Sequence, residues 1–243
     1  MISNSKVLIT AHRGASGYAP ENTIASIKLA LEFKSDIIEI DVQETSEGQV
    51  VLHHDLTLKR TAKIPKLISN LTLAELKTID VGSWFNPKFS NERIPTLEEV
   101  ILLVGMNSTL NIELKSGIKQ KELVEKVVEI VSNTDYVSNC IITSFDHTLI
   151  DKVKKLNSKI KTGYIYSIFN QIEHQDLRQT DILSVHHRLV SEKMIEFCQI
   201  ENKPLHVWTI NKEKTIRNFI KKNIASIITN FPDIAIRERD SDG

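Results

Sequence analysis

A chain of 243 residues, 41% hydrophobic and 26% charged, is long enough to bury a sizeable core as one large domain or two small ones. Its 31 Lys plus Arg balance 31 Asp plus Glu, which excludes the one-sided charge that holds nucleic acid or an anionic membrane, so binding has to be local. Residues 1–10 lack the basic start and the apolar run of about 7–15 residues of a secretion signal, and no stretch approaches the roughly 20 apolar residues of a membrane span. The expectation is a soluble, cytoplasmic protein with no nucleic-acid partner and no stable membrane insertion. Cys140 and Cys198 have no metal-ligand spacing and read as two free, buried thiols.

Apolar runs of four to eight residues read as buried strands, and longer stretches of 3.6-residue period as helices. The chain opens with a strand over residues 6–12, a helix over 23–33 and a strand over 36–43. A tight turn at Ser46-Glu47-Gly48 leads to an extra strand over 50–54. Residues 56–93 then break the alternation, with a short helix opening at Thr72, where Glu75 three residues on completes a capping box. Next come a helix over 97–104, strand 110–115, helix 119–131, strand 140–145, helix 147–157 and strand 161–166. A polar, weakly periodic connection over 167–180 precedes strand 182–186, helix 191–200, strand 205–210, helix 212–222, strand 226–230 and a loose tail over 237–243.

With the extra strand set aside, eight strands alternating with helices indicate an α/β fold, a closed (β/α)8 TIM barrel, for which about 250 residues is typical. It is read as a single domain over residues 1–243 with a small insertion, residues 56–93, after the second barrel strand. An open doubly wound sheet is the alternative.

Side chains alternate across a strand, so Glu39 and Asp41 share one face while Ile38, Ile40 and Val42 share the other. In a barrel the acidic pair faces the lumen. Asn111, Glu113 and Lys115 alternate in the same way with Ile112 and Leu114. Three inward carboxylates form the oxygen-rich donor set of a hard divalent cation, Mg²⁺ or Ca²⁺. Structural ion pairs with Arg13 and Lys115 are the alternative, and they leave a surplus carboxylate. His12 ends the first strand and His53-His54 end the extra one, at the rim where active sites of this fold lie; two imidazoles supply a base and an acid near neutral pH. Alternation sends His53 and His54 to opposite faces without saying which is lumenal. Arg13 presents a planar fork of donors suited to phosphate oxygens, and Lys115 is a second fixed cation. Cation site, fixed positive charge and paired histidines together point to phosphate-ester chemistry. Gly14-Ala15-Ser16-Gly17 reads as a turn, with Glu21 and Asn22 opening the first helix.

The runs His12-Arg13-Gly14, Pro20-Glu21-Asn22-Thr23, Glu39-Ile40-Asp41 and Val50-Val51-Leu52-His53-His54-Asp55, followed by Leu58 and Arg60-Thr61, form one ordered set. With Ile94-Pro95-Thr96-Leu97-Glu98-Glu99-Val100, Asn111-Ile112-Glu113-Leu114-Lys115, Val207-Trp208-Thr209-Ile210-Asn211 and Ile227-Ile228-Thr229-Asn230-Phe231-Pro232-Asp233, the set resembles the glycerophosphodiester phosphodiesterase family across essentially the whole chain. That resemblance implies a (β/α)8 barrel with an insertion after the second strand and metal-dependent hydrolysis of small-molecule glycerophosphodiesters to glycerol 3-phosphate and an alcohol. It implies His12 and His54 as the acid/base pair, His54 being chosen over His53 because it directly precedes Asp55. It further implies Glu39, Asp41 and Glu113 as ligands of a divalent metal ion, Arg13 and Lys115 as phosphate holders, Glu21 as support near His12, and Asn22 and Asp55 as orienting residues. Trp208 resembles the family's pocket-wall aromatic, with plain core packing as its alternative.

Two departures stand out. Thr45-Ser46-Glu47-Gly48 occupies the place of a usual Thr-x-Asp-Gly turn, and Asn230 replaces an acid at the end of the last strand, which puts in doubt any helper role there. The rival readings are a phospholipase D-type activity on lysophospholipids or sphingomyelin, with residues 81–89 and their Trp84 and Phe85 as an apolar lip, and a non-catalytic barrel that binds metal or phosphodiester. The second would have lost a histidine or a metal ligand. The alcohol, the metal, the nucleophile (water or a substrate hydroxyl) and the presence of a homo-oligomer stay open.

Overall fold

The computed structural model describes residues 6–117, 122–167 and 180–241. The strands are β1 (Leu8–His12), β2 (Ile37–Glu44), β3 (Val50–Leu52), β4 (Thr109–Leu114), β5 (Cys140–Ser144), β6 (Lys161–Tyr166), β7 (Ile182–His186), β8 (Leu205–Trp208) and β9 (Ser226–Thr229). All except β3 run parallel, and they close into an eight-stranded barrel because β1 pairs with both β2 and β9. This is the TIM barrel expected from the alternation of elements.

β1 pairs with β2 only as far as His12 opposite Glu39; β3 pairs antiparallel with β2 from Val42 to Glu44. The extra strand thus extends the sheet beyond the end of β1, and the chain leaving it begins with His53, whose N–H still donates to the Asp41 carbonyl at 3.1 Å. β2 and β4 pair with Glu39 opposite Asn111 and Asp41 opposite Glu113, so the acidic residues of neighbouring strands are level with one another.

The helices are α1 (Ile24–Glu32), α2 (Lys59–Ala62), α3 (Leu73–Leu76), α4 (Leu97–Val104), α5 (Leu123–Asn133), α6 (His147–Leu156), α7 (Glu192–Ile200), α8 (Glu213–Ile220) and α9 (Pro232–Ser241). Ile9, Ala11, Ile38, Ile40, Ile112 and Leu114 form one buried cluster with Ile27 and Ala30 of α1, Leu97 and Val100 of α4 and Val127 of α5. Each such large aliphatic group contributes roughly 1.5–3 kcal/mol by burial. The lumen is polar instead. Thr10 Oγ1 meets Ser226 Oγ at 2.7 Å, and Thr143 donates to Asn111 Oδ1 at 2.9 Å, so these strands alternate rather than reading as unbroken apolar runs. A second apolar cluster of Val51, Leu58, Ile68, Leu71, Leu76, Val81 and Ile94 holds the segment between β3 and α4, and Thr72 caps α3 through a capping box with Glu75.

Several predicted boundaries move. Strands predicted to end at residues 54, 115, 145, 210 and 230 stop at Leu52, Leu114, Ser144, Trp208 and Thr229: the rim residues keep the strand pattern but leave the ladder for loops. Thr23, not Glu21 or Asn22, caps α1, and Asn22 takes a left-handed φ of 55°. The predicted loose tail is helical as far as Ser241, with Pro232 in its first turn as a helix start favours. Its Arg239 reaches Asp36 at 2.5 Å, and Asp36 also accepts from the Ile9 N–H at 2.7 Å. The start of the helix predicted over 119–131 and nearly all of the connection over 167–180 lie outside the described residues. Cys140 and Cys198 are free and buried. Among the described residues no helix is long and apolar enough to cross a membrane.

His206, in β8 and 2% exposed, has no hydrogen-bond partner for Nδ1 among the described residues, and burial pushes its pKa down from 6.5 to about 4. A histidine kept neutral by the fold binds its proton more readily in the unfolded chain, so its contribution is complete above pH 6.5 and is lost as pH falls towards 4. The loss is on the order of 3 kcal/mol at most. His206→Leu is expected to flatten the dependence of urea-unfolding free energy on pH over that window relative to wild type; parallel curves would refute this.

Candidate active site

The turn after β1 folds back because Gly14 adopts φ +77° and packs so tightly that a Cβ there would lie 2.6 Å from the Ser26 backbone of α1. This turn sets Arg13, itself at φ 55°, over the end of β2. Its backbone N–H donates to Glu39 Oε2 at 2.8 Å; its guanidinium donates to Glu21 Oε1 at 2.8 Å and lies 3.2 Å from Asp41 Oδ2. Asn22 holds Asp41 at both ends, donating from Nδ2 to Oδ2 at 2.8 Å and accepting from the Asp41 N–H at 3.1 Å. Lys115 donates to Glu113 Oε1 at 2.6 Å and sits 3.4 Å from Asp41 Oδ1.

Glu39, Asp41 and Glu113 each present a carboxylate oxygen within 4.8 Å of the others. Arg13 and Lys115 do pair with these carboxylates, as the ion-pair alternative expects, but three negative groups face two positive ones. The imbalance is visible in the titration behaviour. Burial, Asp41 and Glu113 together drive Glu39 well above the usual carboxylate range, and burial raises Glu113 despite Lys115. Burial also works against Asp41, but Lys115, Arg13 and His54 outweigh it and hold that carboxyl low. Glu39 Oε1 is buried without a hydrogen-bond partner among the described residues. A surplus charge with an unpartnered oxygen is the donor set that a divalent cation fits.

His12 Nδ1 meets Asn230 Oδ1 at 2.7 Å, and its Nε2 lies 3.9 Å from Glu39 Oε2. Burial, then Arg13, push its pKa down to about 4. Asn230 is held in turn by its own N–H, which donates to Asn211 Oδ1 at 2.9 Å. Asn230, where an acid is usual, still meets His12: an amide oxygen accepts from an imidazole N–H as a carboxylate would, only without the charge.

His54 Nδ1 donates to Asp55 Oδ1 at 2.7 Å. His53 faces elsewhere. Its Nδ1 meets the Asp55 carbonyl at 2.7 Å, and since a carbonyl only accepts, Nδ1 carries the proton and Nε2 accepts from the Thr61 hydroxyl at 2.9 Å. Gln43 Nε2 donates to the carbonyls of His53 and Asp55, each at 2.7 Å.

A cavity of about 420 Å³ is lined by His12, Arg13, Glu39, His54 and Glu113, with Phe145, Ile165 and Trp208 as its apolar wall. Trp208 packs edge-on against Phe145 and His186 with ring centroids 5.7 and 5.1 Å apart. It is a cavity-wall residue rather than sealed core. Glu21 does not line the cavity; its hydrogen bonds go to Arg13 and Arg60, so it supports the guanidinium rather than His12. Arg60, Asn230 and Phe145 were not singled out as site residues from sequence. Arg60 stood in the Arg-Thr pair after His54-Asp55, and only its fold-back discloses what it touches.

Comparison with known proteins agrees with this geometry. The model of the glycerophosphoryl diester phosphodiesterase family matches residues 12–234. The chain belongs to that family. The glycerophosphodiester phosphodiesterase of Caldanaerobacter subterraneus subsp. tengcongensis is 37% identical over 95% of this chain and 97% of its own. Among solved structures, an Oleispira antarctica phosphodiesterase in complex with the product sn-glycerol-3-phosphate superposes with a TM-score of 0.89 at 28% identity, covering 97% of each chain. A Thermotoga maritima glycerophosphodiester phosphodiesterase does so with a TM-score of 0.80 at 27% identity, covering 96% of this chain and 99% of the other.

For this family member, a divalent cation that binds the folded site stabilises it by mass action. Added Mg²⁺ or Ca²⁺ is expected to raise the thermal unfolding midpoint of wild type and to leave Glu39→Gln and Glu113→Gln unmoved. An equal rise in all three proteins would place cation binding elsewhere.

Proposed function

We infer that the chain hydrolyses glycerophosphodiesters to glycerol 3-phosphate and an alcohol, with His12 and His54 exchanging the protons and Glu39, Asp41 and Glu113 holding a divalent metal ion. The observation that carries the mechanism is the matched tethering of the two imidazoles. Each has Nδ1 tied to an oxygen, Asn230 Oδ1 for His12 and Asp55 Oδ1 for His54, and both line one cavity with Glu39 and Glu113. With Nδ1–H donating, Nε2 is the nitrogen free to take or give a proton in each ring.

One imidazole takes the proton of the attacking oxygen as the new P–O bond forms; that oxygen belongs to water, which gives glycerol 3-phosphate directly, or to the neighbouring glycerol hydroxyl, which gives a cyclic phosphate that water then opens to glycerol 3-phosphate. The other gives its proton to the alcohol oxygen as the old P–O bond breaks. Arg13 and Lys115 are the fixed cations set to receive the phosphate oxygens, and Glu21 keeps Arg13 in place. Glu39, Asp41 and Glu113 would hold a divalent cation, Mg²⁺ or Ca²⁺, which would supply positive charge beside the phosphate oxygens. Trp208 and Phe145 offer an apolar face to the carbon skeleton.

Residues 56–93 are proposed to be an insertion after the second barrel strand of a single domain. Their separate apolar cluster supports this reading. The place of action is proposed to be the cytoplasm. Hydrolysis of lysophospholipids is kept as a second reading on one observation: Trp84, 38% exposed, joins Phe85 and Phe89 in an edge-to-face aromatic group on that segment.

Glycerol 3-phosphate release from a panel of choline, ethanolamine, glycerol and inositol diesters, set beside release of the free alcohol from their lyso forms, tests both readings; faster alcohol release from the lyso forms would favour the second. His12→Ala and His54→Ala are each expected to lower kcat about 10²- to 10⁴-fold. Near wild-type turnover in both variants would refute the two-histidine mechanism, and unchanged hydrolysis after exhaustive chelation would refute the metal.

A further inference from the structure

Arg60 belongs to a four-residue helix after β3, and it bonds to the partners of two residues from different strands' ends. Its Nε donates to Asp55 Oδ2 at 2.7 Å and its Nη2 to Asp55 Oδ1 at 3.2 Å; Nη1 and Nη2 donate to Glu21 Oε2 and Oε1, each at 2.8 Å. Asp55 Oδ1 is the oxygen that receives His54 Nδ1–H, and Glu21 Oε1 is the oxygen that receives the Arg13 guanidinium. An unbroken chain therefore runs Arg13, Glu21, Arg60, Asp55, His54, with Arg60 as its only cation between the two carboxylates. We propose that Arg60 is a positioning residue that sets His54 and Arg13 as one unit for the hydrolysis inferred above, on which its catalytic consequence rests.

Three features make the clamp rigid. Its base does not depend on the cavity: Leu58 at the start of α2 is fully buried in the second apolar cluster, and Thr61 is bonded to the buried His53. The neighbour of the catalytic histidine thus seats the helix that orients it. One face of the guanidinium is also packed, since the Trp84 ring lies over it at 5.5 Å and is fixed by its own Nε1–H donating to the Val81 carbonyl at 2.8 Å, while the Arg60 side chain as a whole is 39% exposed. Finally, two bidentate pairs use the planar fork on both edges, which the point charge of a lysine cannot copy. Take the guanidinium away and Asp55 keeps His54 as a partner but loses what fixes its own rotamer. Glu21 keeps Arg13 in the same way, and the two ends of the site turn independently.

Arg60→Ala is expected to lower kcat and raise KM, with kcat/KM down by about 10- to 100-fold, the usual cost of removing an outer orienting partner. The unfolding midpoint should stay near that of wild type, and added guanidinium ion should restore part of the activity. Arg60→Lys should fall between the two, and Lys59→Ala, one residue away on the exposed side of α2, should behave as wild type. Arg60→Ala within threefold of wild type would overturn the inference; so would a loss of activity that tracks a fallen unfolding midpoint and resists guanidinium. Nitrogen NMR of the His54 ring gives a readout independent of turnover. A single Nδ1–H tautomer in wild type that becomes a mixture in Arg60→Ala supports positioning even if no glycerophosphodiester is hydrolysed, an outcome that would refute the proposed function alone. An unchanged tautomer in the variant would overturn the inference.

Discussion

Three carboxylates gathered in a barrel lumen against two fixed cations are the condition on which the rest of the site depends. Asp41 and Glu113 come level because β2 and β4 pair in a register that sets them opposite one another, and Glu39 stands two residues earlier on β2, opposite Asn111. An ionised group in so dry a place costs several kcal/mol unless it is paired, and Arg13 and Lys115 neutralise only part of the charge. The remainder pushes Glu39 and Glu113 towards protonation. A divalent cation held there would remove that penalty and restore the carboxylates to their ordinary charge, so the imbalance that costs stability in plain protein is the one a cation would offset.

Around that level the chain spends its irregular backbone on aiming side chains. Arg13 and Asn22 both take left-handed φ near 55°, and both engage Asp41 Oδ2. Left-handed backbone in non-glycine residues costs on the order of 1 kcal/mol or more and persists where surroundings over-determine it; here the surroundings are Gly14 against α1 and the Asn22 amide against β2. The histidines follow the same logic at the rim. Each is fixed through Nδ1 by an oxygen that is itself held, Asn230 by Asn211 and Asp55 by Arg60.

The segment between β3 and α4 joins this arrangement instead of hanging from it. Its apolar cluster anchors α2, α2 carries Arg60, and Arg60 bridges the residues that orient His54 and Arg13. His53 and His54, adjacent and chemically identical, have opposite duties because one ring is shut between a carbonyl and a hydroxyl while the other opens on the cavity. The doubled histidine therefore brings one imidazole to the cavity and not two.

By itself the sequence determined the alternating elements, the inward carboxylates of β2 and β4 and the gathering of imidazoles at one end, since all of these follow from side-chain period along a strand. The barrel, and the TIM-type closure, were legible for the same reason. The helix over the last residues was not, because its anchoring contact, Arg239 on Asp36, joins opposite ends of the chain, and a polar run shows no apolar stripe to betray it. Asn230 looked like a lost acid until the fold set its oxygen against His12. Arg60 was visible as a letter in a motif, but its partners stand five and 39 residues away. Alternation is a local property and can be read from one segment at a time; who meets whom across a rim depends on register and loop geometry summed around the whole barrel, and only the tertiary structure decides that.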